Sequence, residues 1–489
     1  MRRRSFLAAG LATVFASPRA IAQMKMDNMN DMSDMGGHMG HDMGGAPKNA
    51  ITLPEGEALR ELPLLANGAG APGLFKAKLT AEPATARFAN GLDTPILGYN
   101  GTSPGPLIEA TEGDRVEITF ANRIPDEAST IHWHGMPVSA DQDGNPMDPV
   151  ATGAERTYSF DLPEGSAGSY WYHPHPHGKT AEQVYRGLAG AFVVKPKADP
   201  IPAAYGDTVL VFTDLRLATD GTMPANNATD LMNGRVGDHV LVNGQKNPRL
   251  KVPFGTKRRF RLYNATNARF LRLSFEASMT VIGTDGGLLE APMAVDEILL
   301  SPAERLELVV SFEKPGPVTL YTLDYDRGWM GAGRPADGGL TLLTVDVSEE
   351  PAEPVPPLPE RLRPIAPLSG PAVSRRLVFT ETMTMTATDM QMGFLINGKA
   401  FDMNRIDVVS KAGQVELWEI VNKADMDHPF HVHGTQFQSR RARARRQGLQ
   451  AALSCLEGHG QRGARRDGAA FAAPGATGPA HVSLPHPRA

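Results

Sequence analysis

One pattern recurs three times along this 489-residue chain, about every 150 residues. An Asn-Gly pair comes first: Asn100-Gly101, Asn243-Gly244 and Asn397-Gly398. A second glycine comes next, Gly113, Gly255 or Gly413, and opens an alternating stretch. These read Val116-Glu-Ile-Thr-Phe120, Lys257-Arg-Arg-Phe-Arg-Leu262 and Val415-Glu-Leu-Trp-Glu-Ile420. Nine residues after the glycine stands an asparagine: Asn122, Asn264 and Asn422. Alternation with period two, bounded by turn residues, predicts half-buried strands. The spacing is too long for a solenoid unit, so three copies of one β domain are expected. The length agrees, at roughly 150 residues per domain. The abundant glycine and proline, 50 and 40 residues, suit short strands joined by turns. Boundaries fall at proline-rich joints near 195–202 and at 349–371. The expected units are domain one at 51–198, domain two at 203–348, a linker at 349–371 and part of a third domain at 372–438.

The copies differ beyond the last asparagine. Asn122 leads to His132-Trp-His134-Gly135, and Asn422 to His428-Pro-Phe-His431-Val-His433-Gly434. Asn264 leads to Phe270-Leu-Arg-Leu-Ser274, with no histidine. A further cluster, His173-Pro-His175-Pro-His177-Gly178, lies in the first copy. Side chains two apart on a strand point the same way, so each His-x-His pair offers two nitrogens to one side. Neutral imidazole is the commonest metal ligand and suits copper, zinc, iron and nickel. Three such pairs among only 14 histidines predict a polynuclear metal site. Domain two is expected to be a spacer that brings the histidine faces of domains one and three together. The net charge of −5 gives no reason to expect nucleic acid, and the single cysteine excludes an internal disulfide and a cysteine-built zinc site.

These motifs resemble the copper-binding motifs of the multicopper oxidases, over most of residues 85–438. The resemblance implies an all-β chain of three cupredoxin-like Greek-key sandwich domains, the third incomplete after about residue 438. It also implies an oxidase that uses copper to couple oxidation of a substrate to reduction of dioxygen to water. By position, His132 and His431 resemble type 2 copper ligands. His134, His173, His175 and His433 resemble type 3 ligands, and His428 a ligand of the type 1 copper. His177 falls outside the pattern and is read as structural or as a support to the ligands. Asp143, in Asp141-Gln-Asp-Gly144, sits where relatives carry a proton-relaying carboxylate, though Asp-Gly is also a common turn signal. The family's fourth motif, His-Cys-His, is missing, so the type 1 site is expected to be incomplete.

The two ends of the chain carry separate signals. Arg3-Arg4 before Ser-Phe-Leu7, an apolar run and Ala20-Ile-Ala22 look like a twin-arginine export signal over 1–22, cleaved near Ala22. The apolar run is well short of the roughly 20 residues needed to span a bilayer. A periplasmic protein, monomeric and free of the membrane after cleavage, is expected. Residues 23–50 form a Met/His-rich polar tail, expected to be disordered and suited to Cu(I) through its soft thioethers. Met383, Met385, Met390, Met392 and Met403, with Met426 beside His428, point to Cu(I) as reducing substrate. Phenols are the rival substrate class, and filling of irregular core gaps is the bland explanation for these methionines. A non-catalytic copper binder and a copper-free structural relative are the rival functions. Beyond Gln438 the composition turns to nine arginines and a dozen alanines, with only Glu457 and Asp467 acidic. No alternating strand can be drawn through Arg440–Arg446, residues 439–489 are expected to be a disordered Arg/Ala-rich tail, and a shifted reading frame near Ser439 is the expected cause. Cys455, between Ser454 and Leu456, is not in a His-Cys-His context; with His459 it becomes a type 1 candidate only if this end is genuine.

Overall fold

The three copies of the pattern fold alike, down to single hydrogen bonds. In the computed structural model both residues of each Asn-Gly pair have positive φ: 51° and 75° at Asn100 and Gly101, 50° and 76° at Asn243 and Gly244, 51° and 76° at Asn397 and Gly398. That is the hairpin-turn geometry that asparagine and glycine tolerate best. The asparagine Oδ1 then accepts a backbone N–H at 2.8 Å from Thr80, Val211 or Val378, tying the turn to the strand that pairs with the one leading into it. The structure describes residues 51–368, 370–385 and 390–441, with 456–457, 459–460, 469–473 and 482–483 beyond them. The export signal, the Met/His tail and Cys455 lie outside the described residues.

Each patterned strand occupies the same place in its sheet. Arg115–Asn122 runs parallel to Leu74–Ala89, Thr256–Asn264 to Thr208–Leu215, and Glu416–Asn422 to Val373–Met385. In domains one and three alternation sorts the side chains as expected, with Val116, Ile118, Phe120 and Ile420 fully buried; in domain two Phe260 and Leu262 are fully buried, but Arg259 and Arg261 on the polar face are buried as well. In domain one a sheet of four strands is joined by a second, ordered Ile108–Thr111, Gly190–Lys195, Gly168–His173 and His132–His134. Domain two has sheets of six and five strands, and domain three of six and three. Each domain closes around its own apolar cluster. The described chain is thus nearly all β, with paired sheets in each copy, as the sandwich domains implied by the resemblance require. No described helix is long and apolar enough to cross a membrane.

The sheets of domain three extend past Gln438, where alternation predicts nothing. Phe437–Arg441 pairs with Ala469–Ala473, which also pairs with Glu416–Asn422. His459–Gly460 and Val482–Ser483 flank Phe430–Val432, with His459 opposite His431 in register. The tail expected to be disordered therefore contributes short strands among the described residues. The physical reason is that an open sheet edge binds through backbone N–H and C=O groups, which every non-proline residue carries.

Candidate metal centre

The backbone register builds half of the site directly. His132–His134 pairs antiparallel with Gly168–His173, setting His132 opposite His173 and His134 opposite Trp171. His134 Nδ1 lies 3.1 Å from His173 Nε2. Domain three brings the other half. His431 Nε2 is 3.4 Å from His132 Nε2, across 299 residues of chain. The His132 and His433 rings stack at 3.9 Å, as do those of His134 and His431. His175 stands 5.1 Å from His433, ring to ring. His132, His134, His173, His175, His431 and His433 thus converge. Two triads, His132 with His431 and His433, and His132 with His134 and His173, each have ligand nitrogens within 4.8 Å of one another.

Asparagine clamps hold the loops that carry these rings. Asn122 Nδ2 donates to the carbonyls of Glu127 and Val150 at 2.8 and 2.9 Å, and its Oδ1 accepts from Ile124 N. Asn422 repeats the arrangement with Met426 O at 2.8 Å and Ala424 N at 3.0 Å. Domain two keeps the clamp at Asn264 with no histidine beyond it.

Asp143 is buried between two of the rings. Its carboxylate oxygens lie 3.0 Å from His132 Nδ1 and 2.9 Å from His433 Nδ1. Burial pushes its pKa up, but the two imidazoles outweigh that and hold it at about 2. The Asp143 backbone carbonyl, 3.0 Å from His132 Nδ1, and its carboxylate on His433 Nδ1 fix the two rings so that Nε2 is the nitrogen each offers to a metal. His173 and His175 are pushed well below the usual histidine range, first by burial and then by neighbouring rings, so both stay neutral. His175 Nδ1 is buried with no hydrogen-bond partner among the described residues. A buried polar atom left unpaired is costly. A ligand nitrogen aimed at a copper ion removes that cost, so an all-imidazole set of this kind fits copper.

His428 is buried among aromatic rings, edge-on to Phe394 at 5.8 Å and Phe379 at 6.5 Å. Burial, aided by Arg327, brings it down to about 4. A cavity of about 170 Å³ at the meeting of the three domains is lined by His428 and by five of the converging histidines. His177 does not join them. It is exposed and stacks on Phe401 of domain three at 5.5 Å, which corrects the reading of it as a support to the ligands.

Family models described as multicopper oxidase match residues 80–199, 207–344 and 374–454. The chain belongs to the multicopper oxidase family. Multicopper oxidase mco of Staphylococcus haemolyticus is 34% identical over 369 residues, 74% of each chain. The multicopper oxidase from Campylobacter jejuni, described as a metallo-oxidase, is 38% identical with a TM-score of 0.80, covering 88% of this chain and 93% of that one. Cell division protein FtsP of Escherichia coli is 31% identical over 417 residues, 81% of this chain and 83% of that protein. As a family member the chain is a copper-dependent oxidoreductase by resemblance, using oxygen and a reducing substrate.

Two parts of the multicopper oxidase site were not legible in the motifs. One is the domain-two loop around Tyr325 and Arg327. The Tyr325 hydroxyl donates to Asp427 at 2.5 Å, and Arg327 O accepts from Asp427 N at 2.6 Å. The other is a buried ion network behind His173. Arg259 and Arg261 donate to Glu307 at 2.5 and 2.7 Å, and Ser169 Oγ, on the strand that ends at His173, donates to Glu307 at 2.8 Å.

Proposed function

We propose that the six converging histidines hold a type 2 and type 3 copper cluster. The bound coppers would supply electrons for reducing dioxygen to water with four electrons and four protons. The observation that carries this reading is the convergence of rings from domains one and three, with Asp143 oriented on two of them. The protein's own part is to fix the rings, exclude bulk water from a buried site and keep a proton-relaying carboxylate at Asp143. His428 marks the point of electron entry, with an incomplete type 1 site. Cu(I) is the proposed reductant and copper tolerance the proposed role. Met383 and Met392 are opposite each other on paired strands, and Met383 is 58% exposed, so two thioethers face outward together. Met426 supports this less, because its sulfur accepts from Arg327 Nη1 at 3.4 Å. Phenols remain the competing reductant. The Arg3-Arg4 leader supports twin-arginine export to the periplasm, where a monomer would work.

A second reading, a non-catalytic copper binder or a copper-free relative, draws on the missing His-Cys-His motif and the likeness to FtsP. Copper content and oxygen uptake, measured on one purified sample with Cu(I) and with a phenol, separate the readings. An oxidase holds copper and consumes oxygen. Copper without oxygen uptake leaves a binder, and neither leaves a structural relative.

A further inference from the structure

We propose that Arg305 of domain two is a positioning residue for the ring pair His134 and His173, so that domain two does more than space its neighbours. The strand His132–His134 is short and lies at the edge of its sheet, paired with Gly168–His173. That ladder ends with His134 opposite Trp171. So short an edge strand has few backbone bonds to fix its offset. The guanidinium of Arg305 stands where the ladder stops. Its Nε donates to Ser169 O at 3.0 Å, two residues beyond Trp171. A Cβ on Gly135, the residue after His134, would collide with its Nη2. One planar group thus lies against both histidine strands, next to His134 on one and four residues from His173 on the other.

Domain two holds that group from several directions. Arg305 and Asp285 are both fully buried. Arg305 Nη1 is ion-paired with Asp285 Oδ1 at 2.7 Å, and Nη2 donates to Asp285 O at 3.1 Å. Asp285 Oδ1 also accepts from Arg305 N at 2.7 Å. The turn before Arg305 holds Ala303 at φ +69°, a strained conformation that persists only where the surroundings enforce it. Here the Ala303 carbonyl accepts from Arg305 Nη1 at 3.2 Å, and the Ala303 N–H donates to Asn264 O at 2.8 Å. Ser169 is gripped a second time from domain two, since its Oγ donates to Glu307 and accepts from Arg261 at 2.9 Å. An arginine fork meets a carboxylate and a nearby carbonyl at fixed angles, which a lysine ammonium cannot do. Anchored on Asp285, Arg305 fixes Ser169 O against Gly135. Through them it fixes the strand offset that places His134 Nδ1 3.1 Å from His173 Nε2. That these rings then suit copper rests on the proposed cluster; that they are held rests on the contacts themselves.

The test is histidine-selective nitrogen NMR of the full-length protein after copper chelation, followed by copper titration of the same samples. His134→Gln and His173→Gln assign the two signals. Arg305→Lys keeps the charge beside Asp285 and loses the fork. Its circular dichroism should stay that of the unmutated protein. Its His134 and His173 signals should shift while that of His428 stays, and its copper affinity should fall about tenfold, as loss of support to a ligand does. Lower stability alone does not move two ring signals and spare a third in a folded chain. Unmoved His134 and His173 signals overturn the proposal, and so does unchanged copper affinity. The signals are read without metal, so an unmutated protein that binds no copper sinks the cluster and leaves the NMR comparison to decide on Arg305. If Arg305→Lys fails to fold, the double variant Arg305→Met/Asp285→Asn, which buries no charge at this place, is read against the same outcomes.

Discussion

At Gly144 the backbone φ is +67°, and a Cβ there would collide with the carbonyl oxygen of Ile131, one residue before His132. Glycine is required because the chain turns back on itself to bring Asp143 under two imidazoles. Gly144→Ala should therefore lower copper occupancy several-fold while circular dichroism stays that of a β protein. Unchanged copper content would mean that the turn relaxes without moving Asp143. Asp143→Asn is a cleaner change in the same place. It keeps the shape, and the backbone carbonyl on His132 Nδ1, but weakens the hold on His433 Nδ1, and loss of such a supporting carboxylate typically costs about 10–100-fold in metal affinity. A copper titration reads that loss directly. Sequence alone left Asp143 between a turn residue and a functional one, because Asp-Gly looks the same in both cases. Burial between His132 and His433 favours the functional alternative, and burial is a property of the fold.

Among the strands and loops, one clamp serves different ends in different domains. Asn264 and Asn422 make the same clamp, but only Asn422 holds a loop bearing histidines. Replacing either with alanine should cost about 1–3 kcal/mol through unpaired buried groups. Only Asn422→Ala should also reduce copper content, and an equal copper loss in Asn264→Ala would contradict a local role. The positions of these strands were readable from Asn-Gly turns and alternation. The role of the arginine face was not. Lys257–Leu262 alternates, which says that its faces differ, not that the polar one meets water. In the structure Arg259 and Arg261 are 4% and 1% exposed, with their partner Glu307 about 50 residues away in the chain. Burial would raise the Glu307 carboxyl, but Arg259 and Arg261 hold it at about 2. An unfolded glutamate titrates near 4.3. Its folded pKa is depressed, so its contribution is complete above about pH 4.3 and is lost as pH falls toward 2. Thermal melts across that window should fall more steeply for the unmutated protein than for Glu307→Gln. The variant itself should be up to about 3 kcal/mol less stable at neutral pH, because each buried guanidinium loses one of its carboxylate partners while Asp199 stays on Arg259 and Asp207 on Arg261.

On the scale of the whole molecule, the metal centre belongs to no single domain. Copper bound between domains one and three should stabilise the assembled chain by about 2.7 kcal/mol at a hundredfold excess over its dissociation constant. Differential scanning calorimetry should show this as a higher transition temperature on adding copper. The shift should vanish when His132 and His431 are both replaced by alanine. That the domains would meet through histidines was legible, since the spacer carries no His-x-His pair. How they are held was not, because the grip is a loop around Arg327 that no motif marks. Gly328 sits in it at φ +89°, where a Cβ would strike Asp425 O. The span of 299 residues between His132 and His431 also sets a clock. At synthesis rates of roughly 5–20 residues per second, domain one waits about 15–60 seconds for its partner rings. During that time it presents four histidines and no enclosure, a half-site open to whichever soft or borderline metal is abundant. Correct metallation thus becomes a matter of timing and compartment: a chain that meets copper only after all three domains have closed avoids capture by a competitor.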